Sequence, residues 1–248
     1  MILATLRRIE REFGNGIKAL GPFDLEIRQG EFVSLLGPSG CGKSTALKII
    51  AGLLNPTAGD IVWTAAKPRV GFVFQEATLM PWATVRENIR LPLALMHVAR
   101  SEADARAEAA FQRVGLPERF MAAFPRALSG GMRMRASIAR ALAAKPNLLL
   151  MDEPFAALDE ISRDALNEDL LRLWREDGLT IVFVTHSVLE STFLSTRIVT
   201  MTPRPGRTAG EFIVPAPPLR SAWRMSAEFA DAARQVSSML RGAMAAAT

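Results

Sequence analysis

The fold of this chain is decided by the stretch Gly37-Pro38-Ser39-Gly40-Cys41-Gly42-Lys43-Ser44-Thr45. It matches the pattern G-x-x-x-x-G-K-[ST], in which x is any residue. The apolar run Phe32–Leu36 precedes the stretch, and Ala46–Leu53 follows it with apolar residues at helical spacing. The sequence therefore predicts a strand, a phosphate-binding loop and a helix that begins directly after the loop.

The residue types of this loop have a chemical reason. Glycines at 37, 40 and 42 carry no Cβ atom, so backbone N–H groups and the positive end of the helix come close to an anion. Lys43 would reach the β- and γ-phosphates of a nucleotide, and the Ser44 hydroxyl would ligate Mg²⁺. The alternative is a glycine-rich turn that matches by accident. The predicted strand and helix on either side of the stretch favour the interpretation as a nucleotide-binding loop.

Length and composition set the class of protein. At 248 residues, of which 49% are hydrophobic, the chain is long enough for one large domain or two small ones. It has no apolar run of about 18 residues and no signal-peptide pattern, so we expect it to stay in the cytoplasm. Its one cysteine, Cys41, cannot form an internal disulfide. We expect a reactive thiol there, because it lies beside Lys43 at a helix start.

The chain has a net charge of +5, and its basic residues are concentrated between Arg100 and Lys145. That segment contains nine basic and four acidic residues, an excess equal to that of the whole chain. Three explanations remain open: a nucleic acid, the anionic inner face of a membrane, or a solvated helical face. Nucleic acid ranks lowest, since no platform of interleaved aromatic residues for stacking bases is evident.

The pattern over residues 4–33 is typical of short antiparallel strands, with predicted turns at Gly14–Gly16, Gly21–Pro22 and Gln29–Gly30. Phe13 stands at a strand end beside the first of these turns. Its ring would stack on adenine, or it would fill the core, as aromatic residues of strands commonly do. The sequence leaves both alternatives open.

Two adjacent carboxylates follow a buried strand. The apolar run Leu148–Met151 ends in Asp152 and Glu153. Burying two adjacent anions is costly unless a cation and hydrogen bonds compensate, which favours a metal and phosphate site over a solvated turn. Asp152 would hold Mg²⁺, and Glu153 would act as general base for the attacking water.

Gln75 and His186 also stand at the ends of apolar strands, Val70–Phe74 and Leu179–Thr185. Parallel strands present ligand groups at their carboxyl ends. Gln75 would contact Mg²⁺ or the attacking water, or it would be a solvated residue. For His186, the same kind of location favours a γ-phosphate contact over a structural role.

The region Thr84–Ala144 is predicted to be mainly helical. Within it, Leu128-Ser129-Gly130-Gly131-Met132 directly precedes a predicted helix over Arg133–Ala144. Ser129–Gly131 would bind a second anion at the helix start, or it would only cap the helix. Two anion sites in one chain make sense if each nucleotide lies between two copies of the protein.

Asp159 has two possible roles as well. It would cap a predicted helix over Glu160–Asp177, which Gly178 ends, and it would also reach across a dimer.

The sequence has two further apolar features. Met80-Pro81-Trp82 is a cluster in a predicted loop, and it is either a contact surface or part of the domain's own core. Pro215–Pro218 is a stiff extended connector before a C-terminal helix. We expect the helix to pack on the domain through one stripe, formed by Met225, Phe229, Ala232, Val236, Met239 and Ala243.

With Phe13, the phosphate loop, Gln75, Ser129–Gly131, Asp152-Glu153, Asp159 and His186 in this order, the chain resembles the ATP-binding subunit of an ABC transporter over essentially its whole length. The resemblance implies an α/β phosphate-loop NTPase fold with a mostly parallel core sheet and an antiparallel β edge. It also implies a core lobe (1–75 and 146–214), an inserted helical subdomain (76–145) and a C-terminal linker and helix (215–248). Two copies would enclose two ATP molecules, each phosphate loop facing Ser129–Gly131 of the partner.

Three stretches are similar to those of importers of nitrate, sulfonates, taurine and related solutes: Phe74–Trp82, Leu128–Met132 and Pro203–Arg207. This resemblance implies transmembrane permease subunits and an extracytoplasmic solute-binding protein as partners. The chain would then lie peripherally on the cytoplasmic face of the bacterial inner membrane. The sequence departs from the general family pattern at Met132, Met134 and Ser187. None of these departures removes a group from the expected chemistry.

Other ATPases share these motifs. A chromosome-maintenance or DNA-repair ATPase would need a long coiled coil between Gln75 and Ser129, and the 54 residues from one to the other leave no room for it. A translation-factor ATPase would carry two such domains in tandem, whereas this sequence shows one set of the motifs. An exporter ATPase with separate membrane subunits is the alternative that stays open.

Overall fold

The computed structural model describes residues 1–215, 217 and 220–245. The chain forms two compact units: Met1–Lys67 with Thr180–Thr248, and Pro68–Leu179. The predicted connector Pro215–Pro218 includes positions 216 and 218, which lie outside the described residues, as do 219 and 246–248. None of the described helices is both long enough and apolar enough to cross a membrane.

In chain order the strands are β1 (Ile2–Glu12), β2 (Lys18–Arg28), β3 (Phe32–Leu36), β4 (Ala58–Trp63), β5 (Val70–Val73), β6 (Leu148–Asp152), β7 (Thr180–Thr185), β8 (Arg197–Met201) and β9 (Thr208–Ile213). The α-helices are α1 (Lys43–Ala51), α2 (Val85–Leu95), α3 (Arg100–Arg113), α4 (Gly130–Ala143), α5 (Glu160–Asp177), α6 (Val188–Leu194), α7 (Arg220–Trp223) and α8 (Ala227–Ala245).

The first unit contains two arrays of strands. In one, β1 pairs antiparallel with both β2 and β4. In the other, β3 lies between β7 and β8 as a parallel strand, and β9 adds an antiparallel edge beyond β8. Every residue of β3, β7 and β8 is buried, as expected for parallel strands covered on both faces. The mostly parallel sheet with a separate antiparallel part confirms the predicted α/β class.

The second unit contains the parallel pair of β5 and β6 together with α2 to α5. Helices α2, α3 and α4 pack against one another, and α4 also packs against β5 and α5. The predicted helical subdomain over 76–145 stays a prediction, since compactness groups its helices with both strands and α5.

Two details of the predicted elements are wrong. Gly21 and Pro22 form no turn but lie inside β2, where the register with β1 shifts between the pairs Ile9–Phe23 and Arg11–Leu20. The bulge lets the strand bend without ending.

Met225 is 89% exposed because α8 begins only at Ala227. The rest of the predicted stripe is confirmed in part, since four of its members are buried: Phe229, Ala232, Val236 and Ala243. Helix α8 packs on α6, β8 and β9 of its own unit, as expected.

The basic segment also differs from the expectation. Arg119 and Arg126 lie over the rings of Phe120 and Phe124, at 4.8 and 5.8 Å from the ring centroids. Aromatic residues therefore do occur among these arginines, and each of these two rings is covered by its own neighbouring arginine.

A buried ion pair joins β8 to Glu31, the residue before β3, and gives a test of the fold. Arg197 is 3% exposed and donates two hydrogen bonds to the Glu31 carboxylate, at 2.9 and 3.2 Å. Replacing Arg197 with Leu would leave Glu31, 9% exposed, without this cation. We expect the free energy of unfolding to fall by about 3 to 5 kcal/mol, measured by urea denaturation.

The matched control removes the other acidic partner of the same arginine. Glu211 lies 3.0 Å from Arg197 and is 44% exposed. Glu211→Gln should therefore cost less than about 1 kcal/mol. Equal losses in the two variants would contradict a special role of the buried pair.

Candidate functional site

The predicted phosphate loop lies between β3 and α1. Its lysine, Lys43, is the first residue of α1 and is only 4% exposed. The ammonium group donates to the carbonyl oxygens of Gly37 at 2.9 Å and Pro38 at 3.0 Å. The lysine side chain is therefore folded back over the start of the loop, where two hydrogen bonds fix the position of its ammonium group.

The glycines of the loop are required by contacts with the chain itself. Gly40 and Gly42 have φ angles of +76° and +103°, in the region that favours glycine. A Cβ atom on Gly42 would also lie 2.6 Å from the carbonyl oxygen of Ala19 on β2. A Cβ atom on Gly37 would lie 2.8 Å from the Cys41 sulfur.

The start of α1 is suited to an anion. Gly42 is the N-cap residue and has no side chain to accept from the helix amides, and the first turn contains no acidic residue. The first N–H groups of the helix, the helix dipole and Lys43 all contribute positive potential here. Ser44 and Thr45 follow in the first turn, where both are half-buried.

The expectation of an accessible, reactive Cys41 is wrong. Its side chain is 1% exposed and points into the packing behind the loop. Alkylation would therefore require local opening, and Cys41 contributes to the loop through its backbone.

Phe13 lies in the hairpin that joins β1 to β2. Its ring is 37% exposed, and the Arg11 guanidinium lies 4.9 Å from the ring centroid. The alternative of a core phenylalanine is therefore wrong. Because Ala19 near the start of β2 touches Gly42, the hairpin belongs to the same end of the unit as the phosphate loop.

His186 and the phosphate loop leave the sheet side by side. Leu36 of β3 pairs with Thr185 of β7, so the next residues, Gly37 and His186, follow neighbouring strand ends. His186 is exposed. Ser187, which departs from the family pattern, has a local structural role: its hydroxyl accepts from the Glu190 amide at 3.2 Å and caps α6.

In the second unit, Gln75 and the two carboxylates also follow paired strands. Val73 of β5 pairs with Met151 of β6, so Gln75 and Glu153 emerge at the same edge. Gln75 is exposed, whereas Asp152 is 7% exposed. Glu153 has a φ angle of +43°, which is uncommon for a residue with a side chain.

Ser129 caps α4, because its hydroxyl accepts from the Met132 amide at 3.3 Å. The helix begins at Gly130, three residues before the predicted start, because the two glycines adopt its first turn. Capping is thus confirmed, and it leaves the N–H groups of Gly130 and Gly131 at an exposed helix end.

Asp159 lies next to this helix start. It caps α5, accepting from the Ser162 amide at 2.9 Å, and α5 ends at Gly178 in a left-handed conformation, as predicted. Hydrogen bonds from Ser162 hold the pKa of Asp159 below its ordinary value. A Cβ atom on Gly131 would lie 3.6 Å from Ser162, so the glycines pack directly on this capped turn.

A cleft of about 400 Å³ joins these features of the second unit. It is lined by the segment that begins at Gln75, by Gly130 and Arg133 of α4, and by Pro154 and Leu158 after the carboxylates. Three segments that are far apart in sequence therefore share one concave surface.

Sequence reasoning assigned no role to two residues that contact the phosphate loop. Arg204 donates to the Gly40 carbonyl at 3.2 Å, and Gly206 packs against the Cys41 backbone. The only signal for them was the stretch Pro203–Arg207, noted above for its resemblance to one importer subfamily.

A strand, a glycine loop with a buried lysine and a helix start suited to an anion are the parts of a phosphate-loop nucleotide-binding protein. The family model for the ABC transporter matches residues 20–156, more than half of the chain, and the chain belongs to this family.

Relatives and solved structures agree with this assignment. The taurine import ATP-binding protein TauB of Roseobacter denitrificans is 39% identical over 213 residues, 84% of this chain and 79% of TauB. The bicarbonate transport ATP-binding protein CmpC of Synechococcus elongatus is 45% identical over 230 residues, 87% of this chain and 34% of CmpC. A dimeric ATP-binding cassette in a post-hydrolysis state, bound to ADP and Pi, superposes with a TM-score of 0.76 at 35% identity, covering 86% of this chain and 99% of the cassette. The predicted fold and the predicted class of enzyme, an ATPase of this family, are confirmed.

The contact behind the loop can be tested with Gly42→Ala. The new Cβ atom would meet Ala19 and would force a left-handed conformation on alanine. We expect the affinity for ATP to fall at least tenfold, since the backbone of the phosphate loop must move away from β2 to make room for the new atom. Equilibrium titration with a fluorescent ATP analogue measures this.

Gly14→Ala is the matched control, because nothing lies within 4 Å of its Cβ position. This variant should keep the affinity of the wild type. An unchanged affinity in Gly42→Ala would show that the loop tolerates displacement from β2.

Proposed function

We propose that this chain is the ATP-binding and ATP-hydrolysing subunit of an ABC importer for a small solute, an anion such as nitrate, a sulfonate or taurine. The observation that carries the proposal is the anion cradle of Gly37–Thr45 in a chain whose relatives include proteins named for taurine import and bicarbonate transport. The alternatives are the ATPase of an exporter with separate membrane subunits and a soluble ABC ATPase without a transport role.

In this proposal the nine residues of the phosphate loop bind the phosphates of ATP, and Phe13 stacks on adenine. The exposed ring and the adjacent arginine support a stacking platform. Ser44, Gln75 and Asp152 are the proposed Mg²⁺ ligands. Hydroxyl, amide and carboxylate oxygens are suitable donors for this hard cation, and Mg²⁺ usually needs only one or two carboxylates besides phosphate and water. When bound, the ion neutralises charge on the β- and γ-phosphates.

Glu153 is the proposed general base, which takes a proton from the attacking water. Gln75 orients that water, and His186 contacts the γ-phosphate. Glu153 and His186 directly follow the buried strands β6 and β7, and Gln75 comes two residues after the half-buried strand β5. These positions support the proposed roles, since rigid elements present the three residues.

A second copy of the chain completes the site. We propose that Ser129, Gly130, Gly131 and Asp159 of one copy face the ATP bound to the phosphate loop of the other. The exposed glycine helix start supports this, and the cassette with ADP and Pi is a dimer. Permease subunits and an extracytoplasmic solute-binding protein are the other proposed partners, with the chain peripheral on the cytoplasmic face of the inner membrane.

The proposal is tested by co-purifying the chain with its membrane subunits and reconstituting the assembly in liposomes. ATP hydrolysis that rises when solute-loaded binding protein is added on the extracytoplasmic side supports an importer. Hydrolysis that responds only to solute on the side of the ATPase would favour the exporter, and purification without any membrane subunit would favour a soluble ATPase.

Glu153→Gln tests the general base. The amide keeps the shape of the side chain but cannot accept a proton, so we expect ATP turnover to fall by about two to four orders of magnitude. Nucleotide affinity should be largely kept, because it depends on the phosphate loop. The variant should therefore accumulate as an ATP-bound dimer, detected by size-exclusion chromatography.

Two further variants separate binding from closure. Lys43→Ala, added to Glu153→Gln, should abolish the dimer by preventing ATP binding. Ser129→Trp should prevent the dimer while sparing ATP binding by the monomer. Near-normal turnover in Glu153→Gln would show that the carboxylate has only a structural role.

A substitution at Trp82 tests whether the loop that contains it contacts the permease. Its side chain is 76% exposed, so the alternative of a core residue is wrong for it. The loop is nevertheless ordered by the buried Asn88, which accepts from the Met80 amide at 2.7 Å and donates to the carbonyls of Met80 and Ala83. Trp82→Ala should leave folding and ATP binding intact but weaken co-purification with the membrane subunits several-fold.

Met225→Ala is the control, because Met225 is a large apolar residue of similar exposure in the other unit. It should assemble like the wild type. A Trp82→Ala variant that unfolds, or one that assembles normally, would argue against a contact role for this loop.

A further inference from the structure

The segment Pro203–Arg207, between β8 and β9, lies against the phosphate loop. The Nε atom of Arg204 donates a hydrogen bond to the Gly40 carbonyl at 3.2 Å. A Cβ atom on Gly40 would lie 3.3 Å from Nη2 of the same guanidinium. Arg204 is exposed, so its charge lies beside the loop and in contact with solvent.

The segment is held in place by its backbone. The Thr202 amide donates to the Arg207 carbonyl and the Arg207 amide to the Thr202 hydroxyl, both at 3.0 Å. Gly206 forms two further backbone hydrogen bonds with β2, to the Ala19 carbonyl and from the Gly21 amide, each 3.0 Å long. A Cβ atom on Gly206 would overlap the Cys41 carbonyl, so the segment and the loop are in direct contact. Arg204 thus projects from a rigid support.

The hydrogen bond has a consequence for anion binding. A phosphate loop works by pointing successive N–H groups at the anion, which leaves carbonyl oxygens on its outer side. A cationic donor that binds one of these carbonyls restrains the orientation of that peptide, and hydrogen bonds from a charged donor are stronger than neutral ones. The guanidinium also adds positive potential next to the site, where a polyphosphate would bind.

We propose that Arg204 is a positioning residue for nucleotide binding. It restrains the Gly40 peptide from the outer side of the phosphate loop and increases the attraction of the loop for the polyphosphate of the nucleotide. This inference rests on the proposed function, since it names a further residue of the same ATP site.

The test compares Arg204→Gln with the wild type by equilibrium titration of the full chain with ATP and Mg²⁺. We expect a loss of affinity of roughly two- to fivefold, the scale of a solvent-exposed charged contact. The affinity of the wild type should also fall more steeply with added salt than that of Arg204→Gln, because a positive charge near the ligand has been removed. A merely structural role would not change the salt dependence.

Arg207→Gln is the matched control. It removes the same charge from the same segment, but the Arg207 side chain lies against Gly21 on β2. It should keep the wild-type affinity and salt dependence. Arg204→Lys should restore the salt dependence but only part of the affinity, because an ammonium group lacks the planar donor of arginine.

The outcomes separate this inference from the proposed function. A wild type that does not bind ATP would overturn both. A wild type that binds ATP, with unchanged affinity in Arg204→Gln or an equal loss in Arg207→Gln, would overturn only the role of Arg204. If Arg204→Gln does not fold, Arg204→Met decides, because it also removes both the charge and the donor; wild-type affinity in that variant would overturn the role of Arg204.

Discussion

The conformation of the phosphate loop depends on close contacts between its glycines and the surrounding chain. Gly42 lies against Ala19, Gly37 against Cys41, and Gly206 against the Cys41 carbonyl. Each contact excludes a side chain, so the loop has little room to relax. A site that is shaped before its ligand arrives loses less conformational entropy on binding. The buried Lys43 ammonium fits this arrangement, because the carbonyls of Gly37 and Pro38 compensate for its removal from water.

The register of the parallel strands determines which polar residues are neighbours. Pairing of Leu36 with Thr185 brings Gly37 and His186 to one edge of the first unit, although almost 150 residues separate them. Pairing of Val73 with Met151 does the same for Gln75 and Glu153 in the second. Parallel strands are suited to this, since every strand delivers its next residue at the same edge. In each unit, the residues proposed to act on the nucleotide thus lie at or just beyond the ends of paired parallel strands.

Sequence predicted the parts of this architecture that depend on local signals. The strand, loop and helix around Lys43, and the helix from Glu160 to Asp177 with its Asp159 cap and Gly178 end, follow from spacing and residue type within a few turns of chain. Other features depend on residues that meet only in the folded chain.

Three examples show that dependence. The bulge at Gly21 requires the register of β1, and the burial of Cys41 requires the packing of Gly37 and Gly206 around it. The contact between Arg204 and Gly40 joins residues 164 positions apart. Composition and periodicity carry no information about contacts between residues far apart in sequence. Such contacts therefore could not be predicted from one sequence.

The backbone of Glu153, the proposed general base, is strained. A left-handed conformation in a residue with a side chain costs about 1 to 3 kcal/mol, and it persists only where the surroundings impose it. Here the following turn is held by Arg163 of α5, which donates to the carbonyls of Phe155 at 3.3 Å and Leu158 at 2.8 Å. Glycine would remove the strain at 153 but would also remove the carboxylate. Positive φ angles also occur at Arg8, Thr78, His97 and Lys145, so the strain alone does not assign a role. At Glu153 the strain coincides with the end of a buried strand and a restrained turn, and this combination supports the proposed role of its carboxylate.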